Sequence, residues 1–229
     1  MMGRAAAGAI VLLATRAAFA ESPPPLQPFA PDVLVKLAPM LRGGEMALIE
    51  TDDNGHTRQL TLFAWVAAPP AIVRDVVLHP ERFPKFIHNL SKSEVEPREG
   101  GAFVNRWRVE LPIGHFDDAF EMHPSPEDDG PVDVRSVEAG RTGAYRWEFH
   151  RASGGGTVLV YYGRYDGFSQ NYLLSRLLAR NPAYEAGVAI SAGLVLVKSI
   201  QREAARIAAE AKRAAAPPSG SSPGWKALL

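Results

Sequence analysis

The chain contains no cysteine among its 229 residues. Disulfide bonds, thiol nucleophiles, cysteine-based zinc sites and a lipid-modified cysteine are therefore excluded. An excess of charge of either sign is also lacking, because 25 lysine and arginine residues balance 25 aspartate and glutamate residues. Proteins that bind nucleic acid carry a basic surface, so this balance argues against a nucleic-acid partner.

Long apolar runs are lacking as well. Residues 5–15 and 186–197 are small or apolar throughout, but a membrane-spanning helix needs about 20 apolar residues. Arg4 precedes the first run, and Ala18-Phe19-Ala20 follows it with the small-x-small pattern of a signal-peptide cleavage site. We therefore expect an exported protein, periplasmic if the source is a Gram-negative bacterium. The alternative is an alanine-rich start without a targeting role.

Composition divides the chain into four parts. The expected signal peptide covers residues 1–20, and residues 21–31, "ESPPPLQPFAP", are predicted to form a proline-rich linker. Hydrophobic residues make up 46% of the sequence, enough for the core of one domain, which we assign to residues 32–214. Residues 215–229 contain mainly Pro, Ser, Gly and Ala and are predicted to be a disordered tail.

Segments that alternate apolar and polar residues recur between turn-rich stretches, which is typical of β-strands. Asn54-Gly55 is a hairpin signal between the first two strands. The connections between the later strands are too short for helical crossovers, so the sheet is predicted to be antiparallel. The predicted strands are 46–51, 56–66, 91–97, 102–111, 115–123, 132–137, 144–151 and 157–165.

One face of this sheet is predicted to be aromatic. Phe103 and Trp107 alternate with Arg106 and Arg108, and successive residues of a strand point to opposite faces. The residues on the aromatic face are Phe103, Trp107, Phe116, Asp118, Phe120, Met122, Tyr145, Trp147 and Phe149. A sheet with one apolar face must be covered by another layer.

Short helices are predicted before and between the strands. Residues 32–41 suit an amphipathic helix with Asp32 as N-cap and one apolar face, made of Val33, Leu34, Leu37 and Leu41. Two small helices are predicted after the second strand, because prolines divide the apolar stretch that follows it.

A long helix is predicted at the C-terminal end and would cover the aromatic face. Asn181-Pro182 provides a cap and a first turn, and residues 183–214 contain no helix breaker. Ile190, Leu194 and Val197 lie on its apolar stripe. A further short helical piece is predicted at 172–180.

The stretch "VAAPPAIVRDVVLHPERFPKFI", residues 66–87, resembles a motif of the START-like, or polyketide-cyclase-like, superfamily, which includes a coenzyme-Q-binding branch. The residues that carry the match are Val66, Ala68, Pro69, Val73, Val76, Val77, Pro80, Phe83, Pro84 and Phe86. Where the family has an aromatic residue at the centre of the first small helix, this chain has Arg74 or Asp75.

The resemblance implies an α+β helix-grip fold, in which a curved antiparallel sheet grips a long C-terminal helix and two short helices follow the first hairpin. It also implies a cavity between sheet and helix for a hydrophobic small molecule, such as a lipid, a sterol or hopanoid, an isoprenoid, a quinone or a polyketide. We expect the aromatic-face residues and Ile190, Leu194 and Val197 to bind this ligand. The alternative is that the same side chains pack a solid core.

Catalytic and metal-binding patterns are scarce, so we predict no catalytic residue, no metal and no cofactor. The sequence has no nucleophile elbow and no phosphate-binding loop, and His115 and His123 are eight positions apart on one strand. Asp118 is a polar exception on the aromatic face, where burial of an unpaired carboxylate raises its pKa. It would bind a ligand hydroxyl, act as a general base, or pair with a cation such as Arg164.

Two functional hypotheses follow, and the first is favoured. The protein binds or transports a hydrophobic molecule without catalysis, or it is a cyclase, dehydratase or hydrolase on the same fold. Export favours a carrier, because polyketide cyclases work beside cytoplasmic synthases. A structural domain with a filled core is a third possibility.

Residues 186–197 bear on how a ligand would be loaded, since this half of the long helix is apolar on all sides. Burial under 172–180 is one explanation. The other is a movable lid that contacts a membrane or a donor protein. Gly187 and Gly193 lower the helix propensity of this segment, which suits a segment that moves.

Overall fold

The computed structural model describes residues 26–111, 114–137, 143–164 and 181–215. Eight strands form one curved, open antiparallel sheet in the order β1-β2-β8-β7-β6-β5-β4-β3. The α+β fold and the antiparallel sheet are confirmed, and each strand boundary lies within one residue of its prediction. The strands are β1 Met46–Thr51, β2 Thr57–Val66, β3 Leu90–Pro97, β4 Phe103–Leu111, β5 Gly114–Pro124, β6 Val132–Ser136, β7 Ala144–Arg151 and β8 Thr157–Arg164.

The two predicted small helices follow β2. Helix α2 spans Pro70–Leu78 and has Pro70 in its first turn, where the missing N–H of proline has no helical partner to lose. The second, Pro80–Lys85, is a short 3-10 helix rather than an α-helix, and it contains Pro84. Arg74 donates hydrogen bonds from α2 to the carbonyls of Ser125 (2.6 Å) and Gly130 (3.0 Å). Arg74, one of the two residues that can stand where the family has an aromatic residue, thus holds the β5–β6 connection.

The long helix spans Pro182–Ala215 and lies along β2, β8 and α2. We number it α3. Asn181 Oδ1 accepts a hydrogen bond from Ala183 N (3.0 Å), which confirms the predicted cap. Its second half is held by Lys198 Nζ, 3.0 Å from Glu45 Oε2, and by Gln201 Nε2, which donates to Trp65 O (2.6 Å). By length and composition alone α3 could cross a bilayer, a property that core helices of soluble proteins share.

A second layer covers the opposite face of the sheet, which we call the outer face. Helix α1, Pro31–Leu41, and residues 26–30 pack there against β2 and β8. Phe29 contacts Phe63 edge to face, with ring centroids 5.5 Å apart. β2 and β8 are therefore covered on both faces, and residues 26–31, which were assigned to a linker, contact the sheet.

A buried polar network anchors this second layer. Tyr162 OH accepts a hydrogen bond from Phe29 N (3.0 Å) and donates to Glu148 (3.3 Å), and Arg146 Nε donates to the same carboxylate (2.7 Å). Burial alone would raise the pKa of Glu148, but hydrogen bonds from His150 and Arg146 outweigh it and hold the pKa below its ordinary value. Burial raises the pKa of the Tyr162 hydroxyl, so it remains a donor.

Two details of the predicted α1 were wrong. Asp32 is not the N-cap, because Pro31 already begins the helix after Ala30, and Asp32 instead pairs with Lys36 at 3.2 Å. Val33 is 40% exposed, and the buried face consists of Leu34, Ala38 and Leu41. The predictions for 1–20 and 172–180 fall outside the described residues. The same holds for the predicted tail 215–229 except Ala215, which is the last residue of the long helix Pro182–Ala215.

Candidate functional site

Strand register determines which side chains point towards α3, on the face that we call the concave face. Directly paired residues of neighbouring strands point to the same side. Trp107 pairs with Asp118, and Phe120 pairs with Asn105 on β4 and with Ser136 on β6. Continued across β7 and β8, this register places all nine predicted strand residues of the site on the concave face.

Aromatic rings cross the concave face as a continuous row. Trp107 meets Phe120 edge to face with centroids 4.8 Å apart, and Phe120 meets Tyr145 at 5.5 Å. Tyr145 then stacks on Tyr161 at 6.2 Å, and Trp147 also contacts Tyr161, at 4.6 Å. Edge-to-face and offset contacts at these distances are favourable between aromatic rings. The row links β4, β5, β7 and β8.

The helix α3 contacts the two strands at one side of this row. A Cβ atom at Gly193 would lie 2.6 Å from Leu62 Cδ1, so helix and β2 are in close contact there. Val197 is fully buried in the same contact region, whereas Ile190 and Leu194 are half-buried. β4 and β5 have no comparable contact with α3 among the described residues.

The predicted site residues separate into two groups by exposure. Trp107 and Tyr145 keep accessible surface although they point inwards, which means that α3 does not cover them completely. The half-buried group is Phe103, Trp107, Phe116, Tyr145, Ile190 and Leu194. The buried group is Asp118, Phe120, Met122, Trp147, Phe149 and Val197. Half-buried rings on a concave wall can border a ligand, whereas the buried side chains mainly pack the core. Asp118 and Phe120, each 8% exposed, keep a little surface on this wall.

Polar groups interrupt the apolar wall on β4, β5 and β6. Asn105 is 2% exposed and accepts a hydrogen bond from Ser93 Oγ (2.8 Å). The Trp107 indole N–H and the Ser136 hydroxyl are buried and have no hydrogen-bond partner within the described residues. Buried polar groups are nearly always paired in folded proteins. These two unpaired groups are therefore candidates for contact with a bound molecule.

Asp118 is 8% exposed and lies on the concave face opposite Trp107. Its Oδ1 accepts a hydrogen bond from Ala119 N (2.8 Å). The suggested partner Arg164 lies on the outer face, because it pairs with Ala144, and it donates to the carbonyl of Arg58 (3.0 Å). An ion pair between Asp118 and Arg164 is therefore wrong, since the sheet separates the two side chains.

The histidines of β5 do not contribute to the concave face. His115 and His123 are exposed on the outer face, next to Asp117 (3.6 Å) and Glu121 (3.2 Å). No group of three or more His, Asp or Glu side chains suited to a metal ion occurs in the described part of the chain.

A separate hollow of about 380 Å³ lies between the 3-10 helix and the second half of α3. Its lining includes Arg206, which pairs with Glu203 at 2.7 Å, and Arg82, which lies 3.6 Å from Asp75. Ion-paired side chains at its rim suit water better than an apolar ligand.

Tyr161, Asn105 and Ser136 were missed as site residues. Asn105 and Ser136 occupy alternate positions beside Trp107 and Val134, so their places on the concave face follow from strand periodicity alone. Tyr161 belongs to an entirely buried strand, in which periodicity gives no contrast between faces.

Comparison with known proteins gives a match in structure only. The sequence matches no protein-family model and no curated protein. The Zhui aromatase/cyclase from Streptomyces sp. R1128 is 18% identical, with a TM-score of 0.54 over 66% of this chain and 95% of that chain. A STAR-related lipid transfer protein from Xanthomonas axonopodis is 12% identical, with a TM-score of 0.50 over 70% of this chain and 93% of that chain.

A protein from Thermus thermophilus is 19% identical, with a TM-score of 0.50 over 64% of this chain and 96% of that chain. At these identities the likeness defines the architecture and leaves the activity open. The open curved sheet, the small helices after β2 and the long C-terminal helix agree with the same architecture. The chain therefore has the START-like, helix-grip fold.

Proposed function

We propose that this protein binds and transports a hydrophobic small molecule in the space between the concave face and α3. One observation carries the proposal. Trp107 and Tyr145 point inwards, yet both keep accessible surface, because α3 packs mainly on β2 and β8 and covers these two rings only in part. A concave, mainly apolar wall with a few polar groups is the usual form of a small-molecule site.

The ligand class in this proposal is a lipid, sterol or hopanoid, isoprenoid or quinone. The aromatic row supports flat or branched apolar ligands, because rings present broad surfaces for dispersion contacts. The names of the neighbouring structures, a lipid transfer protein and an aromatase/cyclase, are consistent with a bulky apolar ligand.

The direct test is to identify what the protein carries. We expect native mass spectrometry of the protein purified from its source to show a bound species, which organic extraction then releases. A matched Trp107→Ala sample should retain less of that species. A protein that contains no extractable molecule and binds no apolar probe would have a filled core instead.

Export is part of the proposal. It is supported by the Ala18-Phe19-Ala20 pattern after the apolar run 5–15. N-terminal sequencing of the secreted or periplasmic fraction should give a mature chain that starts at Glu21. Retention of Met1 in a cytoplasmic fraction would contradict the export claim and leave ligand binding unaffected.

The proposed function also includes contact of the protein with a membrane while the ligand is transferred. In the first half of α3, the side chains of Tyr184 and Val195 are 53% and 49% exposed among the described residues. Aromatic and aliphatic side chains at such positions favour the membrane interface. Val195→Asp should slow ligand transfer between vesicles. Lys212→Asp, at the exposed far end of α3, is the control, because it changes the charge by two units. Equal transfer rates in wild type and Val195→Asp would contradict membrane contact by this part of α3.

A cyclase or related enzyme is the second candidate, and Asp118 is the observation that favours it. A buried carboxylate beside an apolar wall can act as a general base. If catalysis occurs, Asp118→Asn should abolish turnover of a reactive polyketide-like substrate and retain its binding. If wild type and Asp118→Asn carry the same unaltered ligand, transport is the better description.

A further inference from the structure

Trp107 has an unsatisfied hydrogen-bond donor in a wall that is mainly apolar. Its Nε1 atom is buried and has no acceptor in the described part of the chain. An indole N–H is a donor only, so no rotation of a proton can satisfy it internally. The ring itself is half-buried. The donor is therefore enclosed and unpaired within a side chain that keeps accessible surface elsewhere on its ring.

A second unsatisfied polar group lies on the other side of Phe120, the ring that Trp107 contacts. Ser136 Oγ is buried without a partner among the described residues, and Ser136 is the direct neighbour of Phe120 on β6. Trp107 reaches Phe120 from the other side, edge to face at 4.8 Å. Phe120 thus has an unpaired polar group on each flank. Unpaired buried groups are rare, and these two share the concave face on either side of one ring, so one bound partner could satisfy both.

The side chains around Trp107 and Ser136 restrict the kind of molecule that could satisfy these two groups. On β4, β5 and β6 the described concave side chains include one charged group, the carboxylate of Asp118, and no lysine or arginine. A carboxylate or phosphate ligand would find no cation on these three strands. A hydrocarbon would leave both unpaired groups as they are.

We propose that the ligand carries an uncharged oxygen, as a carbonyl, ether or hydroxyl, which lies over Phe120 and accepts the hydrogen bond of Trp107 Nε1–H. Ser136 Oγ contacts the same polar end. This inference rests on the proposed ligand site and narrows its ligands to neutral, oxygen-bearing apolar molecules. A small rotation of the half-buried indole brings its N–H to the ligand and leaves the strand unchanged.

The test compares two naphthalene probes of similar size, 2-acetylnaphthalene and 2-ethylnaphthalene, of which only the first has an oxygen acceptor. Trp107→Phe keeps an aromatic ring and removes the N–H. We expect this variant to weaken binding of the ketone about tenfold, which is the effect of one lost hydrogen bond to a buried partner. Binding of 2-ethylnaphthalene should change less than about twofold.

The outer face offers a matched control. Trp65 Nε1 is also buried and unpaired among the described residues, but Trp65 packs with α1 on the opposite side of the sheet. Trp65→Phe should therefore leave the affinity for both probes unchanged. If Trp107→Phe does not fold, Ser136→Ala removes a polar group without removing a ring, and it should weaken ketone binding alone by about threefold.

The outcomes separate this inference from the proposed function. If neither probe binds the wild type, the ligand site itself is wrong, and the inference falls with it. If both probes bind and Trp107→Phe weakens them equally, the ring acts through packing alone. If the variant changes neither affinity, a buried water molecule satisfies the N–H. Each of the last two results overturns the oxygen-acceptor inference and leaves the hydrophobic site intact.

Discussion

His56 Nδ1 on the β1–β2 hairpin lies 2.9 Å from Glu185 Oε2 in the first turn of α3. Gly55 is also near this end of the helix, since a Cβ atom there would lie 3.8 Å from Pro182. The hydrogen bond with Glu185 raises the pKa of His56 above its ordinary value. The start of α3, next to the proposed ligand space, is therefore attached by a contact that depends on pH.

The sign of this dependence follows from the raised pKa. The contact stabilises fully below the unfolded-state pKa of about 6.5 and is lost as the pH rises through the higher folded-state value. We expect the His56 resonance to titrate with a midpoint above about 6.5 in wild type and close to it in Glu185→Gln. Amide exchange in the first turns of α3, corrected for intrinsic rates, should accelerate above the midpoint. Identical midpoints in the two proteins would show that the contact does not form in solution.

Trp107 and Trp147 should respond differently to truncation. Trp147 is 4% exposed and packs against Tyr161, so Trp147→Ala should lower the free energy of unfolding by about 3–5 kcal/mol. Trp107 is half-buried, so Trp107→Ala should cost less stability, about 1–2 kcal/mol, and should weaken apolar-probe binding. Denaturant unfolding and probe titration of both variants test this. Equal stability losses would mean that Trp107 belongs to a solid core.

Gly193 and Gly187 should give opposite results when they are changed to alanine. A Cβ atom at Gly193 would lie 2.6 Å from the fully buried Leu62, so Gly193→Ala should destabilise the protein by about 1–3 kcal/mol. A Cβ atom at Gly187 meets open space, so Gly187→Ala should stabilise the helix by about 0.5–1 kcal/mol. Thermal unfolding of the two single variants provides the comparison.

The same pair refines the test of a movable α3. Because Gly193 is a close-packing position, a double glycine variant would combine helix stiffening with a steric clash. Gly187→Ala alone stiffens the exposed side of the helix. If the first half of α3 moves during ligand transfer, this variant should slow vesicle transfer at unchanged equilibrium affinity. A transfer rate equal to that of wild type would contradict the movement.

Tyr162→Phe should loosen the layer on the outer face. The variant removes the acceptor for Phe29 N and the donor to Glu148, and we expect a loss of about 1–3 kcal/mol in the free energy of unfolding. Hydrogen exchange at residues 26–30 should increase most. If hydrogen exchange instead increased evenly over the whole chain, residues 26–30 would unfold only together with the sheet.

Glu148 gives the same network a dependence on acid. Its pKa is held below the ordinary value, so its contribution to stability is present above the unfolded-state pKa and is lost as the pH falls through the folded-state value. Wild type should lose stability between about pH 5 and pH 3, and Glu148→Gln should lose less over this range. Parallel pH profiles of the two proteins would assign the acid sensitivity to other carboxylates.

The strands and the concave face could be predicted because alternation is visible in the sequence. Trp107 and Phe120 differ sharply from their charged neighbours, so their common face was correct. Alternation did not show which residues of β8 face α3, because all the described residues of this strand are buried. Apolar residues on both faces of β2 and β8 indicate two covering layers, yet they do not identify α1 as the second.

The finer features of the site depend on distances that periodicity does not contain. The sequence indicates that Asp118 needs a partner, but the opposite faces of Asp118 and Arg164 follow from the register across four strands, β5 to β8. The unpaired state of Trp107 Nε1 within the described chain depends on the positions of all neighbouring oxygens. Likewise, the role of Arg74 requires the β5–β6 connection to lie beside α2.

The helix α3, the strands β2 and β8, and α1 form a three-layer stack, and β4 and β5 stand beside it. Substitutions on the concave side of β4 and β5 can therefore alter the volume offered to a ligand without changing contacts inside the stack. Phe103 and Phe116 are half-buried on these strands, so replacing them should cost little stability. A new binding preference could be selected at such positions while the residues that keep the chain folded stay the same.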